Sequence, residues 1–579
     1  MKVQVRYIFR SLTSILSGSS GKTTLLRILA RRTSQYGAHA KLTGDIYFGG
    51  KKASRSQRRD LVSFVPQEWA LFGDFTVYET MWFSARLYFG YVGYTKKDID
   101  AKISAILESV GLDNYREVKV GSIFAKGLSG GQKRRLSIAV ELISSPSIIL
   151  LDEPTTSLDS ATALGVFQEL EQLASHGHTV IATIHQPSSQ LWDKVQNVMI
   201  MSQGYVAYNG PGKVAQAYFE GIGLSCPKRF NPSEFFIGVV TTDFNLPEFS
   251  HSYTLEQLQE KFESSEDYQK YVMEKIDRAL SIDRPASSVG GHNVSSSSHI
   301  DHGAKQVSLF SQYITLTMRS YSITYKNLGL FFMRLFLFVF LAIVFGLVFL
   351  NVGKVEGDAG VLGTISAIGT TLAFYVILSI TVIPFVVEDR TVYKRELKNG
   401  TYRKGPLVLS FISTFFITSG IIAIVASIIT VFMCGFRTSF FDYFIVLWLA
   451  LLYAEVIALS VAAVSKYYII GIAVAATWFG TCLITCGFFV KFTAMNWVIR
   501  WIGYVNPQHY FLAAQVIGEF SNRTIEIVDG VLFQNQTDIY NYYDIGNQSL
   551  NSFWGNWLLG LAIFVGHIFI FYFLVKFSW

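Results

Sequence analysis

The chain has 579 residues, of which half are hydrophobic, 15% are aromatic and only 16% are charged, whereas a soluble domain averages about 25% charged residues. That excludes a uniformly soluble protein, and a surplus of +7 over such a length is too small to imply a nucleic-acid partner. Four cysteines, Cys226, Cys434, Cys482 and Cys486, are too few and too scattered for a disulfide framework, and none has zinc-site spacing.

Residues 1–283 are of ordinary globular polarity, mixing strand-like runs such as Ser147–Leu151 with charged amphipathic stretches such as Lys97–Val110. The segment LSGSSGKTTLLRILA ends a short apolar strand and opens a helix. It resembles a phosphate-binding loop, in which backbone N–H groups and a helix N-terminus cradle phosphates, a lysine reaches the β/γ oxygens and a hydroxyl holds Mg²⁺. Gly18, Ser19, Ser20, Gly21, Lys22, Thr23 and Thr24 are the candidate ATP-binding residues, with Thr23 on the metal. Leu16 and Ser19 stand where such loops usually carry glycine. Downstream, Ser147–Leu151 reads as a buried strand ended by two carboxylates. It would deliver Asp152 to the Mg²⁺ shell and leave Glu153 able to polarise a water for in-line attack.

Before that strand lies Leu128-Ser129-Gly130-Gly131-Gln132, followed by a basic helix start. Here the chain resembles the ATP-binding cassette (ABC) family, whose signature is LSGGQ. The resemblance implies that Ser129, Gly130, Gly131 and Gln132 open a helix that binds the γ-phosphate of ATP held by an opposite subunit. It further implies that Gln67 touches Mg²⁺ or the attacking water, that Asp159 belongs to a loop lying across a dimer interface, and that His185 contacts the γ-phosphate. Glu153, His185 and Gln67 are thus the candidate catalytic residues, and Thr23, Gln67 and Asp152 the candidate Mg²⁺ ligands.

The run His185–Ser189, the pattern Tyr218-Phe219…Cys226-Pro227…Asn231-Pro232…Phe235 and an ATPase half preceding a membrane half resemble the G subfamily, the white/brown-type half-transporters. The expected fold is an α/β P-loop ATPase domain of the ABC type followed by an all-α six-helix transmembrane domain. Only about 15 residues precede the phosphate loop, where the family has further strands and an adenine-stacking aromatic. Two expectations compete: an incomplete or mis-spliced gene product with a normal parent loop, which is favoured, or a weakened site.

Residues 284–304 are rich in Ser, Gly and His and read as a flexible linker. In 305–579, apolar runs recur at about 328–352, 365–387, 407–432, 441–464, 468–490 and 554–577, each near or above the roughly 20 residues that span a bilayer. The connection EDRTVYKRELKNGTYRK carries six basic residues, which places it and both termini in the cytoplasm; the G-subfamily resemblance makes its 388–397 stretch a coupling segment. Residues 491–553 would then form a long external loop, with N-x-S/T triplets at Asn522, Asn535 and Asn547 as expected glycosylation sites in a eukaryotic plasma membrane.

Glu455 lies mid-span, where a carboxyl is expensive unless neutral, paired or facing a polar cavity. An interhelical hydrogen bond is the first expectation and a transport-pathway role the sharper one. Arg334 is expected to snorkel to the interface. The resemblance implies ATP-driven export of a sterol, other lipid or hydrophobic xenobiotic by a homodimer, or by a heterodimer with another G-subfamily half-transporter, in contact with membrane lipid. The rivals are a catalytically weak partner subunit and a channel or receptor with a regulatory cassette.

Overall fold

The computed structural model describes residues 12–16, 21–30, 46–48, 51–52, 61–91, 93–121, 126–228, 230–241, 253–281, 307–327, 329–491, 493–521, 532–545 and 552–579. Gly18, Ser19, Ser20, the 284–304 stretch, Asn522 and Asn547 lie outside them. The chain divides into two units, Met1–Val307 and Ser308–Trp579.

In the first unit, strands β1 (Leu12–Leu16), β4 (Val62–Val65), β5 (Ile148–Leu151), β6 (Thr179–Ile184), β7 (Asn197–Ser202) and β8 (Tyr205–Pro211) form one sheet in the order β4-β5-β6-β1-β7-β8. All neighbours run parallel except β7 and β8. Strands β2 (Tyr47–Phe48) and β3 (Lys51–Lys52) pair as a small hairpin. Both faces of the main sheet are covered, which is why its strands read as continuous apolar runs rather than alternating ones. Leu150, Ile181 and Met199 pack with Leu25 and Leu26 of helix α1 (Lys22–Leu29) on one face. Ile149, Leu151, Val180 and Ala182 meet Leu136 of α2 (Gly130–Leu142) and Phe167 and Leu170 of α3 (Ser160–Ser175) on the other. Each fully buried Leu or Phe contributes about 1.5–3 kcal/mol. Position 67, Asp152 and His185 all follow the carboxyl ends of parallel strands, where ligands gather in sheets of this kind.

Among its described residues, the second unit has six helices long and apolar enough to cross a membrane: Gly329–Lys354, Gly357–Asn399, Lys404–Cys434, Phe440–Val464, Tyr468–Thr485 and Phe553–Ser578. A further helix, α4 (Leu309–Lys326), precedes them. It buries a polar face, including Gln312, Thr315 and Arg319, and exposes Phe310, Met318 and Tyr325.

Four sequence expectations change here. First, the basic connection is mostly helix. Ile383–Asn399 continues the second span and stops at Gly400, whose φ of 71° suits the left-handed C-cap. Second, the fifth helix ends at Thr485 instead of running to 490, with Gly487 left-handed at φ 93°.

Third, 491–553 is not one loop. It contains α5 (Trp497–Val505), α6 (Pro507–Phe520) and α7 (Gln536–Tyr542), and α6 is buried along almost its whole length against the fourth and sixth spans. Its carboxylate Glu519 accepts the N–H groups of Arg437 and Thr438 at 2.9–3.0 Å. Fourth, Arg334 does not snorkel. It is 2% exposed and donates to Glu455 at 2.5 Å, because a carboxyl on the facing helix compensates its charge. Glu455 therefore makes the expected interhelical bond.

Candidate nucleotide site

The end of β5 brings the chemistry together. Thr23 Oγ1, in the first turn of α1, donates to Asp152 Oδ1 at 2.9 Å, and Thr183 Oγ1, near the end of β6, donates to the same oxygen at 3.0 Å. One residue on, Glu153 has φ 47°, a left-handed conformation uncommon for a residue with a side chain. Its N–H donates to Thr183 Oγ1 at 2.8 Å, so one hydroxyl fixes both members of the carboxylate pair. Glu153 Oε2 accepts from Gln67 Nε2 at 2.7 Å and from Thr156 Oγ1 at 3.0 Å.

Lys22 faces this pair. Its Nζ lies 3.8 Å from Glu153 Oε1, and the side chain is buried. Burial lowers its pKa, with Glu153 and Asp152 opposing the shift. Nζ is enclosed yet has no hydrogen-bond partner among the described residues. A buried ammonium with open donor positions, at a helix N-terminus and beside two carboxylates, fits a phosphate together with the divalent cation that the phosphate carries.

Gln67, Lys22, Thr23, Asp152 and Glu153 thus converge. Gly21, at φ 151°, and Thr24 flank Lys22 and Thr23 at the start of α1. His185 follows β6 and is exposed, and among the described contacts none joins it to Glu153. The signature residues act first on their own helix: Ser129 Oγ accepts the Gln132 N–H, and Gln132 Oε1 accepts the Ser129 N–H at 2.8 Å, a reciprocal cap of α2. Asp159 Oδ1 likewise caps α3 by accepting the Thr162 N–H at 2.9 Å, and hydrogen bonding from the Thr162 hydroxyl, with that N–H, holds its pKa below the usual value. Gly130 and Gly131 form the first turn of α2. At Gly131 a Cβ would stand 2.2 Å from Thr162 Cγ2, so the starts of α2 and α3 touch only because the residue is glycine.

Two residues escaped the sequence reading. Thr183 is a hydroxyl that interrupts the apolar run 180–184 of β6, two positions before His185, and that interruption is the available signal. Arg134 falls on the buried face of α2 at helical spacing from Gly131 and Ile138, inside a basic run that reads as solvated.

Comparison with known proteins agrees with this geometry. A family model described as "ABC transporter" matches residues 14–156, and two models described as "ABC-2 type transporter" match residues 185–310 and 311–520. ABC transporter G family member 11 of Arabidopsis thaliana is 31% identical over 502 residues, covering 83% of this chain and 68% of that protein. Member 13 of the same plant is 30% identical over 515 residues, covering 84% and 74%. The broad substrate specificity ATP-binding cassette transporter ABCG2 of Sus scrofa is 27% identical over 520 residues, covering 86% and 77%.

Proposed function

The chain belongs to the ABC transporter G family, and on that premise we propose that it exports a hydrophobic or amphipathic substrate, a lipid such as a sterol or a xenobiotic, as one half of a dimer. It is an integral multi-pass membrane protein that couples ATP hydrolysis to transport. The observation that carries the site assignment is the enclosed Lys22 ammonium, ion-paired with Glu153 at 3.8 Å yet without a hydrogen-bond partner among the described residues.

In this reading Lys22 and the N–H groups at the start of α1 bind the β- and γ-phosphates, together with the preceding loop of Gly18, Ser19 and Ser20. Thr23, Asp152 and Gln67 would hold Mg²⁺, which neutralises phosphate charge. Thr183 keeps Asp152 oriented toward the metal position. Glu153, released from Gln67 and Thr156, orients the attacking water and takes its proton, while His185 swings in to meet the γ-phosphate. Ser129, Gly130, Gly131 and Gln132, with Asp159, serve nucleotide bound by the other chain, so each site is complete only in a pair. The partner is a second copy or another half-transporter of the family.

The division of the chain at 307/308 supports an ATPase half at 1–283, a linker at 284–304 and a membrane half at 305–579. The basic 388–404 stretch supports cytoplasmic termini, and a eukaryotic plasma membrane is the proposed location. Asn535, exposed at the start of α7, is the proposed glycosylation site among the described residues, with Asn522 and Asn547 proposed from their triplets.

A second reading, a catalytically weak partner subunit, is favoured by Leu16 and Ser19 in the phosphate loop. Mg²⁺-dependent ATPase activity of the purified chain, with ATP-dependent uptake of a lipid and xenobiotic panel into inverted vesicles, tests both. Activity and uptake by the chain alone support the first reading. Activity that needs a second half-transporter and survives Glu153→Gln in this chain supports the second, and ATP-independent flux would exclude both.

A further inference from the structure

Arg134, five residues into the signature helix segment from Ser129, is a charged side chain that the proposed mechanism leaves unused. It is 1% exposed, and its guanidinium spans three main-chain carbonyls on two other segments. Nη1 donates to the oxygens of Pro66 at 2.5 Å and Gln67 at 3.1 Å, and Nη2 donates to the oxygen of Asp152 at 2.7 Å. Burial pulls its pKa down to about 10, against the opposing pull of Asp152 and Glu153, so it stays cationic near neutrality. An apolar side chain would dock α2 on the sheet without the cost of burying a charge. What the charge adds is a planar fork of donors on the backbone of two residues whose side chains touch the reacting centre. Gln67 reaches Glu153, and Asp152 receives Thr23.

We propose that Arg134 is a positioning residue that couples the two nucleotide sites of a pair of chains. The inference rests on the composite-site reading above. The start of α2, at Ser129 and Gly131, faces nucleotide held by the other chain, whereas Gln67 and Asp152 serve nucleotide held by their own. The Gly131–Thr162 approach binds the start of α2 to the start of α3, so the signature and the Asp159 loop move together. A displacement there reaches the carbonyls of Gln67 and Asp152 through the Arg134 fork, and from them the Gln67–Glu153 and Thr23–Asp152 bonds. A lysine cannot reproduce this, because its point charge lacks the planar, two-armed geometry.

The test uses the full-length protein reconstituted in lipid, with ATPase rate measured against ATP concentration and bound nucleotide counted separately. Wild type is expected to be cooperative, with a Hill coefficient approaching about 2, the number of sites. Arg134→Lys should bind the same amount of nucleotide while its coefficient falls to about 1. Arg134→Gln, which keeps two amide donors without the buried charge, should show the same fall. Wild-type cooperativity in both variants overturns the inference, as does a non-cooperative wild type. Loss of bound nucleotide in both assigns Arg134 to folding alone and overturns it too. Ser129→Arg separates the two levels: continued hydrolysis there means the composite site itself has failed, whereas abolished hydrolysis with cooperative Arg134 variants defeats only the coupling role.

Discussion

Glu153 and Thr183 show how much one hydroxyl can decide at the residue scale. Glu153→Gln keeps the size of the side chain and its reach to Gln67 but removes the proposed base. ATP turnover should therefore be abolished while nucleotide binding is retained, measured by phosphate release and by bound nucleotide on the same preparation. Substantial residual hydrolysis would place the base elsewhere. Thr183→Val preserves shape and β-branching but deletes the bond to Asp152 and leaves the Glu153 N–H without its acceptor. It should lower kcat by about 10-fold or more, the scale of losing orientation at a reacting centre, with little change in nucleotide binding; an unchanged kcat would remove Thr183 from the positioning array. The phosphate-loop and Asp-Glu motifs exposed most of the candidate site to sequence reading because each is a contiguous run at the end of one strand or the start of one helix. Thr183 and Arg134 were not visible in that way, since each acts on backbone or on a carboxylate distant in sequence.

Elements in the membrane half are joined by charges that hydropathy alone places poorly. Arg334 and Glu455 are both essentially excluded from solvent and lie 121 positions apart. Breaking such a pair from one side leaves a charge uncompensated and costs about 3–5 kcal/mol, whereas replacing both partners with apolar groups can be neutral. Glu455→Leu should thus lower the thermal stability of the detergent-purified protein markedly, and Arg334→Met with Glu455→Leu should restore much of it. A double variant no more stable than the single one would refute the pairing account. Transport retained by both Glu455→Gln and Glu455→Leu would remove any pathway role for the carboxyl.

The basic connection follows the same pattern. Arg319 of α4 makes a two-pronged ion pair with Glu396 at 2.8 and 2.9 Å, and Tyr402 donates to the same carboxylate at 2.7 Å. Arg390 donates to the terminal carbonyls of Ala462, Ala463 and Ser465, where a cation suits a helix C-terminus. Charges from which the sequence alone yields only an expected orientation are therefore, in part, packing elements. Arg319→Ala should uncouple α4 from this connection and lower stability more than Arg319→Lys does, measured by thermal unfolding of the full-length protein.

For the whole molecule, ATPase activity and uptake into inverted vesicles should disappear together in Glu153→Gln, since one carboxylate serves both; uptake surviving without hydrolysis would break the coupling. Among the described triplets, Asn535→Gln should remove one glycan, seen as a mobility shift, and an unshifted protein from a glycosylating host would contradict an external α7. Apolar run length determined four of the six spans closely, the second and the fifth excepted, and the motif order determined the family, because both properties are local in the chain. Tertiary structure alone decided that the fifth helix stops at Thr485, that α6 is buried, that Arg334 finds Glu455, and that Arg134 joins the signature helix to Gln67 and Asp152. Those outcomes depend on which surfaces meet and which buried charges find compensation, and no spacing along the sequence encodes a contact between residues scores of positions apart.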